Sequence, residues 1–516
     1  MSPIGCLLDP AQWKEVDPMA ASHQNQRKDL ARGGSLSFVG SAFSAGMGFV
    51  LTVIVSRMLG AEGAGLFFQV TGIFAMILAF AKFGMDSTSI YLIPRVKVDD
   101  PPKVFSAALA CVGTALGVSI LLTVVVEAFS PILWAEANDV LLHAVRLVIL
   151  LVPFGAVMLT VAAILRSLGS VLEYVLISNI ALPLLRPVFV VVAILCTGSI
   201  AVVSVAWAVP FVLLSVIAGT LVMRHIKALE GVTSGSRLPS QQRWLEVWRF
   251  ATPRTLSAGL EQALAWLPVL MIGWLLSDQA AGVFGGAARF IQAGLLVDAA
   301  LRVVVSPKFS ALLHRKQNVE VSELYVTASI WLVLLASPAY VLLGIFSPVF
   351  LGLFGQEFVP GALSLSILAL GMAVTFMAGN IHSLLIMSGR SGWAAANKAV
   401  VLLICVVGNL VLIPAFGLPG AAMVWLVCQV LDAVLAAVEV RVFLGISMQP
   451  LEVLRPLIVV LLSFGLPACA GMALWGNSLV ALCATGGGGL AFYCVLCWKL
   501  REELQLDGLS AMLRSR

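Results

Sequence analysis

Two arginines stand in stretches of the sequence that are otherwise apolar. Arg186 lies in the run PLLRP, between Pro183 and Pro187, with no acid within one helical turn. Arg289 lies in GGAARFIQA, with Gln292 on the same helical face. A guanidinium is a planar, permanently charged fork that meets a phosphate-type anion with paired hydrogen bonds. A charge inside lipid costs about 2.5–3.5 kcal/mol on insertion scales, so such groups face a cavity or a partner. Arg186 and Arg289 are therefore expected to line a cationic site, with Lys82 as a third candidate. Glu261, beside Gln262, is the main acid expected at comparable depth. The alternative is that Glu261 neutralises one arginine while the other reaches outward.

Other ionisable groups come in pairs. Lys82 and Asp86 are four residues apart, as are Asp298 and Arg302, a spacing that closes an ion pair along a helix. Either these pairs neutralise each other near an interface, or Asp298 and Arg302 add polar groups to the cavity. His382, near Asn380, could relay a proton for coupling, or could be a hydrogen-bonded packing residue. Arg146 is expected to reach toward the membrane surface. Cys494 and Cys497 form a C-x-x-C with no His or second cysteine pair beside it, so they read as small residues of a helix. No metal cluster, nucleotide-binding glycine loop or nucleophile–base arrangement is present in the sequence. No catalytic residue, cofactor, metal or nucleic-acid partner is expected.

The elements that must position these groups follow from composition. Of 516 residues, 60% are hydrophobic and 11% charged, whereas soluble domains carry about a quarter charged residues. About 20 apolar residues cross a bilayer core as a helix. Apolar segments of that length fall at about 35–58, 65–93, 104–129, 140–165, 171–196, 200–223, 252–276, 282–306, 324–346, 360–388, 394–414, 418–442, 456–474 and 477–498. The expected fold is all-α and polytopic, with about fourteen transmembrane helices. The first 32 residues hold no apolar run like a signal-peptide core, so the first hydrophobic segment is itself a span.

Charge supplies the orientation. Of the 31 basic residues, only Arg57 falls in a loop on the side opposite the N-terminus. Lys82, Arg146, Arg186, Arg289 and Arg302 fall within spans, and the rest share the N-terminal side. The positive-inside rule then sets both termini in the cytoplasm. The longest polar interruption, with GVTSGSRLPSQQ, reads as a linker. Around it the chain repeats: residues 58–67 (MLGAEGAGLF) align with 275–284 (LLSDQAAGVF) at an offset of 217, and Asn179 and Trp207 align with Asn397 and Trp425 at 218. The expected organisation is a cytoplasmic segment (1–33), a six-helix lobe (34–224), a cytoplasmic linker (225–250), a second six-helix lobe in parallel repeat (251–444), two additional transmembrane helices (445–498) and a cytoplasmic tail (499–516). Gly40, Ser44, Gly48 and Thr52, at four-residue spacing, are expected to form a packing seam.

The stretch 34–95, with RMLGAEGAGLF and KFGMDSTSIYLIPR, resembles the start of polysaccharide-biosynthesis flippases of the multidrug/oligosaccharidyl-lipid/polysaccharide exporter superfamily. Residues 347–371 (SPVFLGLFGQEFVPGALSLSILALG) and 412–425 (LIPAFGLPGAAMVW) are similar to patterns recurring in that family. The likeness covers about residues 34–444. It implies two lobes around a cavity that opens alternately to each membrane face, in the inner membrane. It also implies a polyprenyl-pyrophosphate-linked oligosaccharide as substrate, with membrane lipids, a polysaccharide polymerase and glycosyltransferases as partners. On that resemblance the anion awaited by Arg186, Arg289 and Lys82 is the pyrophosphate. Moving its roughly two negative charges outward across 100 mV would gain about 4–5 kcal/mol, so the membrane potential could itself drive export. The alternative is a cation-coupled drug antiporter of the same superfamily, which would want a buried carboxylate; helix one has none between Gly34 and Ser56. A membrane glycosyltransferase would want a sizeable exterior loop, and the longest here, near 130–139 and 347–359, are only about a dozen residues.

Overall fold

The computed structural model describes residues 18–133, 138–229, 241–446 and 450–506. The expected segment 1–33, linker 225–250 and tail 499–516 lie partly outside them, at 1–17, 230–240 and 507–516. The described residues are helical, with no strand among them. In order they form α1 (Pro18–Ala81), α2 (Met85–Asp99), α3 (Val104–Leu133), α4 (Asp139–Ile149), α5 (Val152–Leu168) and α6 (Val171–Tyr174). A π segment, Val175–Ala181, carries α6 into α7 (Leu182–Cys196), and α8 (Ile200–Leu229) follows. Then come α9 (Gln241–Leu275), α10 (Asp278–His314), α11 (Asn318–Ile345), α12 (Ser347–Gly352), α13 (Ala362–Met377), α14 (Ile381–Met387), α15 (Ser391–Phe416) and α16 (Leu418–Leu444). The chain closes with α17 (Pro450–Val460), α18 (Leu466–Trp475) and α19 (Leu479–Lys499).

Among the described residues, 12 helical stretches are long and apolar enough to cross a membrane, or 13 if α4 and α5, bent by 44°, form one span. This total differs from the expected fourteen at one place. Residues 34–99 form one helical stretch of 66 residues, about 99 Å of helix against a bilayer core of about 30 Å. It is broken at Gly60, whose φ of 70° and ψ of −174° are not helical. Two spans and a turn were expected there, and glycine is the residue that tolerates the bend. The chain turns again at Lys82–Gly84, where Phe83 and Gly84 have positive φ.

The chain is apolar outside as well as inside, unlike a water-soluble protein. Phe68, Phe74, Met85, Met158 and Phe376 are buried inside, while Leu121, Val192, Leu195, Leu403, Val411 and Leu474 stand exposed on the outside. Apolar surface on this scale is not stable in water; the chain is a multi-pass membrane protein whose outer side chains face lipid.

Two seams join the first and second halves of the chain. Along one, α1 meets α10 at backbone contact: a Cβ on Gly65 would lie 1.7 Å from the Asp278 carbonyl oxygen, and one on Gly282 would lie 1.9 Å from that of Ala61. Gly65 and Gly282 are related by the 217-residue offset, so the two copies of the motif pack against each other. Small residues permit this approach because dispersion rather than water expulsion holds helices together in lipid. Along the other, α9 follows α1: Gly72 faces Trp266, Gly259 faces Phe80 and Gly273 faces Gln69. The expected Gly40–Thr52 seam is realised only in part. Gly40 packs on Val175 and Asn179, but Gly48 has nothing within 4 Å.

The prolines divide by position. Pro153 sits at a helix start, where the missing N–H costs nothing. Pro187, Pro210, Pro268 and Pro338 lie inside helices. The π segment Val175–Ala181 directly precedes Pro183, whose ring cannot fit an unbroken α-helical turn. The widened turn absorbs that misfit and sets the direction of α7, which carries Arg186.

Candidate functional site

Arg186, on α7, lies with its guanidinium carbon 4.2 Å from the centre of the Trp207 ring and 4.8 Å from that of Phe211, both on α8. Its Nε is buried with no hydrogen-bond partner. Arg289, on α10, stands 4.9 Å from the Trp266 ring and 5.6 Å from that of Phe68. Its guanidinium donates to Gln292 Oε1 at 3.3 Å, the contact expected from their spacing. The two arginines are 103 positions apart in the chain. Between them runs an aromatic band: Trp207 and Phe67 at 6.4 Å, then Phe67 and Phe68 at 6.1 Å.

Neither arginine forms an ion pair among the described residues. Ring faces carry negative potential and hold a guanidinium by about 0.5–2 kcal/mol, less than a carboxylate supplies in a dry setting. The arrangement is two cations on one aromatic band without a counter-charge among the described residues, with donors left over. It is suited to an anion carrying more than one charge.

The remaining predicted residues fall elsewhere. Glu261 is exposed on α9 and pairs with neither arginine, so the alternative of a Glu261–Arg neutralisation does not occur. Lys82 donates to Asp86 at 2.7 Å across the turn between α1 and α2, some 21 Å along the helix from Phe68. It is therefore paired and not grouped with the arginines. Arg302 pairs with Asp298, as the four-residue spacing indicated. Arg146 does not reach out alone; its Nε donates to Glu127 Oε1 at 2.6 Å.

His382 belongs to a cluster that sequence reading did not assemble. Its Nε2 lies 3.1 Å from Asp432 Oδ2, and Lys398 Nζ lies 2.5 Å from the same oxygen. Next to Lys398, Asn397 donates to Glu439 Oε2 at 2.9 Å. Asp432 and Glu439 are buried on α16, and Lys398 sits within α15 rather than in a loop. The signal was present: two acids seven apart on a largely apolar helix share one face, and Asn397–Lys398 is the only pair of adjacent polar residues inside α15.

At the end of the bundle holding the Gly65–Gly282 contact, polar groups also cross between halves. Arg57 donates to the carbonyls of Leu353 (2.8 Å) and Gly352 (3.0 Å). Glu357 accepts from the Ala61 N–H at 2.8 Å, supplying a partner at the Gly60 break. Gln69 donates to Asp278 at 2.7 Å.

Comparison with known proteins follows the same lines. The family described as polysaccharide biosynthesis protein matches residues 30–313, more than half of the chain. A curated relative from Haloferax volcanii, "Probable low-salt glycan biosynthesis flippase Agl15", is 23% identical over 469 residues, covering 88% of this chain and 92% of the relative. Among solved structures, "Lipid II flippase MurJ, inward closed conformation" shares the fold with a TM-score of 0.72 at 11% identity, over 90% of this chain and 99% of that one. A multidrug resistance MATE family transporter of the MOP superfamily, in an inward-facing conformation, gives 0.60 at 15% identity over 77% and 94%. A MOP superfamily transporter from Pyrococcus furiosus gives 0.59 at 15% over 81% and 96%.

Proposed function

The chain belongs to the polysaccharide biosynthesis protein family, and on that premise we propose that it flips a lipid-linked oligosaccharide across the cytoplasmic membrane by alternating access. The observation that carries this reading is the pair Arg186 and Arg289, joined by one aromatic band, each on aromatic faces and with no ion-pair partner among the described residues. A polyprenyl pyrophosphate brings the two negative charges that this pair lacks. Its phosphates would take the free guanidinium N–H groups as charge-assisted hydrogen bonds, and the aromatic band would face the first sugar. The relative named as a glycan flippase supports the cargo class.

In this reading the two halves, 34–224 and 251–444, are the lobes that rock about the substrate, and 445–498 is an addition to that machinery. Both termini and the 225–250 linker lie in the cytoplasm of the cell whose inner membrane holds the protein. The cargo is delivered by glycosyltransferases on that side and used by a polysaccharide polymerase on the other. The Gly65–Gly282 end is then the exterior gate. A cation-coupled drug antiporter would need an open buried carboxylate, whereas Asp432 is already taken by Lys398 and His382.

The test is export of lipid-linked oligosaccharide in cells producing equal amounts of wild type, R186A, R289A and the double variant. Each single variant is expected to export at a small fraction of the wild-type rate. Undiminished export from both single variants overturns the assignment of the site.

A further inference from the structure

The arginine site leaves Glu261 without a role. It is the middle residue of the membrane-crossing stretch Val247–Leu275, and it is exposed. Among the described residues it has no ion-pair partner. An unpaired carboxylate at that depth is costly against lipid and is kept where it faces a cavity and serves function. We propose that Glu261 is a specificity-determining residue: it accepts hydrogen bonds from adjacent hydroxyls of a neutral sugar and turns away an acidic one. The proposal rests on the transport reading and adds the class of glycan carried.

Helical geometry puts Glu261 on the inner side of α9. Leu256 and Trp274 are 58% and 64% exposed. Eighteen residues apart, they stand five turns from each other on one face, the face turned to lipid. Gly259, Trp266 and Gly273, which meet Phe80, Gly72 and Gln69 of α1, lie about 60–100° to one side of it. Leu264, which packs with Val401 and Cys405 of α15, lies about 80° to the other. Glu261 is about 140° from the lipid face, behind both contacts and between the two halves of the chain. Its exposure is therefore to an internal space.

The same face changes character along the helix. Toward the Gly65–Gly282 end, Pro268 and Ile272 lie within about 20° of Glu261 around the axis, and both are buried. Toward the linker, Arg254 on that face is exposed and donates to Ser87 Oγ of α2 at 3.2 Å. Ser257 satisfies its hydroxyl on the Pro253 carbonyl at 3.2 Å. The internal space is closed at the glycine contact and open toward the linker. Glu261 stands about 7.5 Å along α9 from Trp266, the ring that carries Arg289. A pyrophosphate held by the arginines leaves its glycan in the space that Glu261 faces.

The residue type sets what is recognised. A carboxylate has two acceptor oxygens and no proton to give. Two adjacent sugar hydroxyls present matching donors, and the bonds they make to it are charge-assisted. A uronic acid brings a like charge into a confined space, and that repulsion discriminates against it. The pyrophosphate is repelled as well, so cargo is oriented in one sense, with its anion on the guanidiniums and a neutral ring on the carboxylate. The scaffold does not require the acid: at the 217-residue offset the matching position in α1 is Ser44.

The full chain in lipid nanodiscs would be titrated calorimetrically with three probes. These are farnesyl pyrophosphate and the same molecule extended by a trisaccharide of glucose or of glucuronate. Wild type is expected to bind the glucose probe about tenfold more tightly than either of the others, the effect of one hydrogen bond to a charged group. E261A is expected to lose the gain from glucose, and E261Q, of the same shape but uncharged, to lose the discrimination against glucuronate. Both should keep wild-type affinity for farnesyl pyrophosphate, whereas R186A should weaken all three probes. Wild-type affinity of E261A for the glucose probe overturns the proposal. So does a wild type that binds the two glycan probes alike, or an E261A that has lost farnesyl pyrophosphate as well. If wild type binds none of the probes, the transport reading itself fails, and the proposal falls with it.

Discussion

Replacing Gly65 by alanine tests the backbone approach of α1 and α10. The added Cβ would lie 1.7 Å from the Asp278 carbonyl oxygen and 2.8 Å from the Gly282 nitrogen, against 3.4–4 Å for an ordinary contact. Both obstacles are backbone, so no rotamer change relieves them, and α1 and α10 must part by about 1.7 Å. A radial gap of 0.5–1 Å already forfeits about a quarter to a half of the dispersion energy of a contact. Overpacking in a close-packed interior typically costs about 1–3 kcal/mol. The closed form of this end alone would bear that cost, because an open end separates the two glycines. At about 1.4 kcal/mol per factor of ten, the closed-to-open ratio falls roughly 5- to 150-fold. Spin labels on exposed Met58 and Leu276, in a chain relieved of its nine cysteines, would read the separation by pulsed electron resonance. G65A is expected to lengthen the distance and lower export, whereas G48A, with nothing within 4 Å of the new Cβ, should leave both unchanged. An unaltered distance distribution in G65A would refute the claim that this glycine contact closes the gate.

Glu357→Ala removes the acceptor of the Ala61 N–H, and loss of that charge-assisted bond, about 1.5–3 kcal/mol, should also lengthen the Met58–Leu276 distance. Trp207→Ala takes away the ring beneath Arg186; at about 0.5–2 kcal/mol for the cation–π contact, farnesyl pyrophosphate should bind about 2- to 30-fold more weakly by calorimetric titration, with W207F intermediate. Asn397→Leu strands the buried Glu439 carboxylate, at a cost of about 1–3 kcal/mol; the apparent Tm should fall, and N397L/E439L should regain part of it because both polar partners are then gone.

What the sequence determined by itself is whatever depends on local composition and short spacing. Apolar length marks membrane helices because a bilayer has a fixed thickness, and the lean of Arg and Lys to one side of the spans is the basis of the orientation expected for the chain. Asp298–Arg302 was legible because a four-residue spacing closes within one helical turn; Lys82 and Asp86 also pair, but across the turn between α1 and α2 rather than along a helix. The likeness between 58–67 and 275–284 was also legible, but only the fold shows that the two copies touch at Gly65 and Gly282. What tertiary structure decided is everything carried by contacts across long chain separations. Arg186 finds Trp207 and Phe211 rather than Glu261, and His382 finds Asp432 fifty residues away. The division of 34–99 at Gly60 belongs here too, since a glycine inside an apolar run marks a possible bend, and the partners at Glu357 and Asp278 make it one. Side-chain pairing over such distances depends on how helices cross. Crossing is set by the summed packing of both partners, which no single segment of sequence contains.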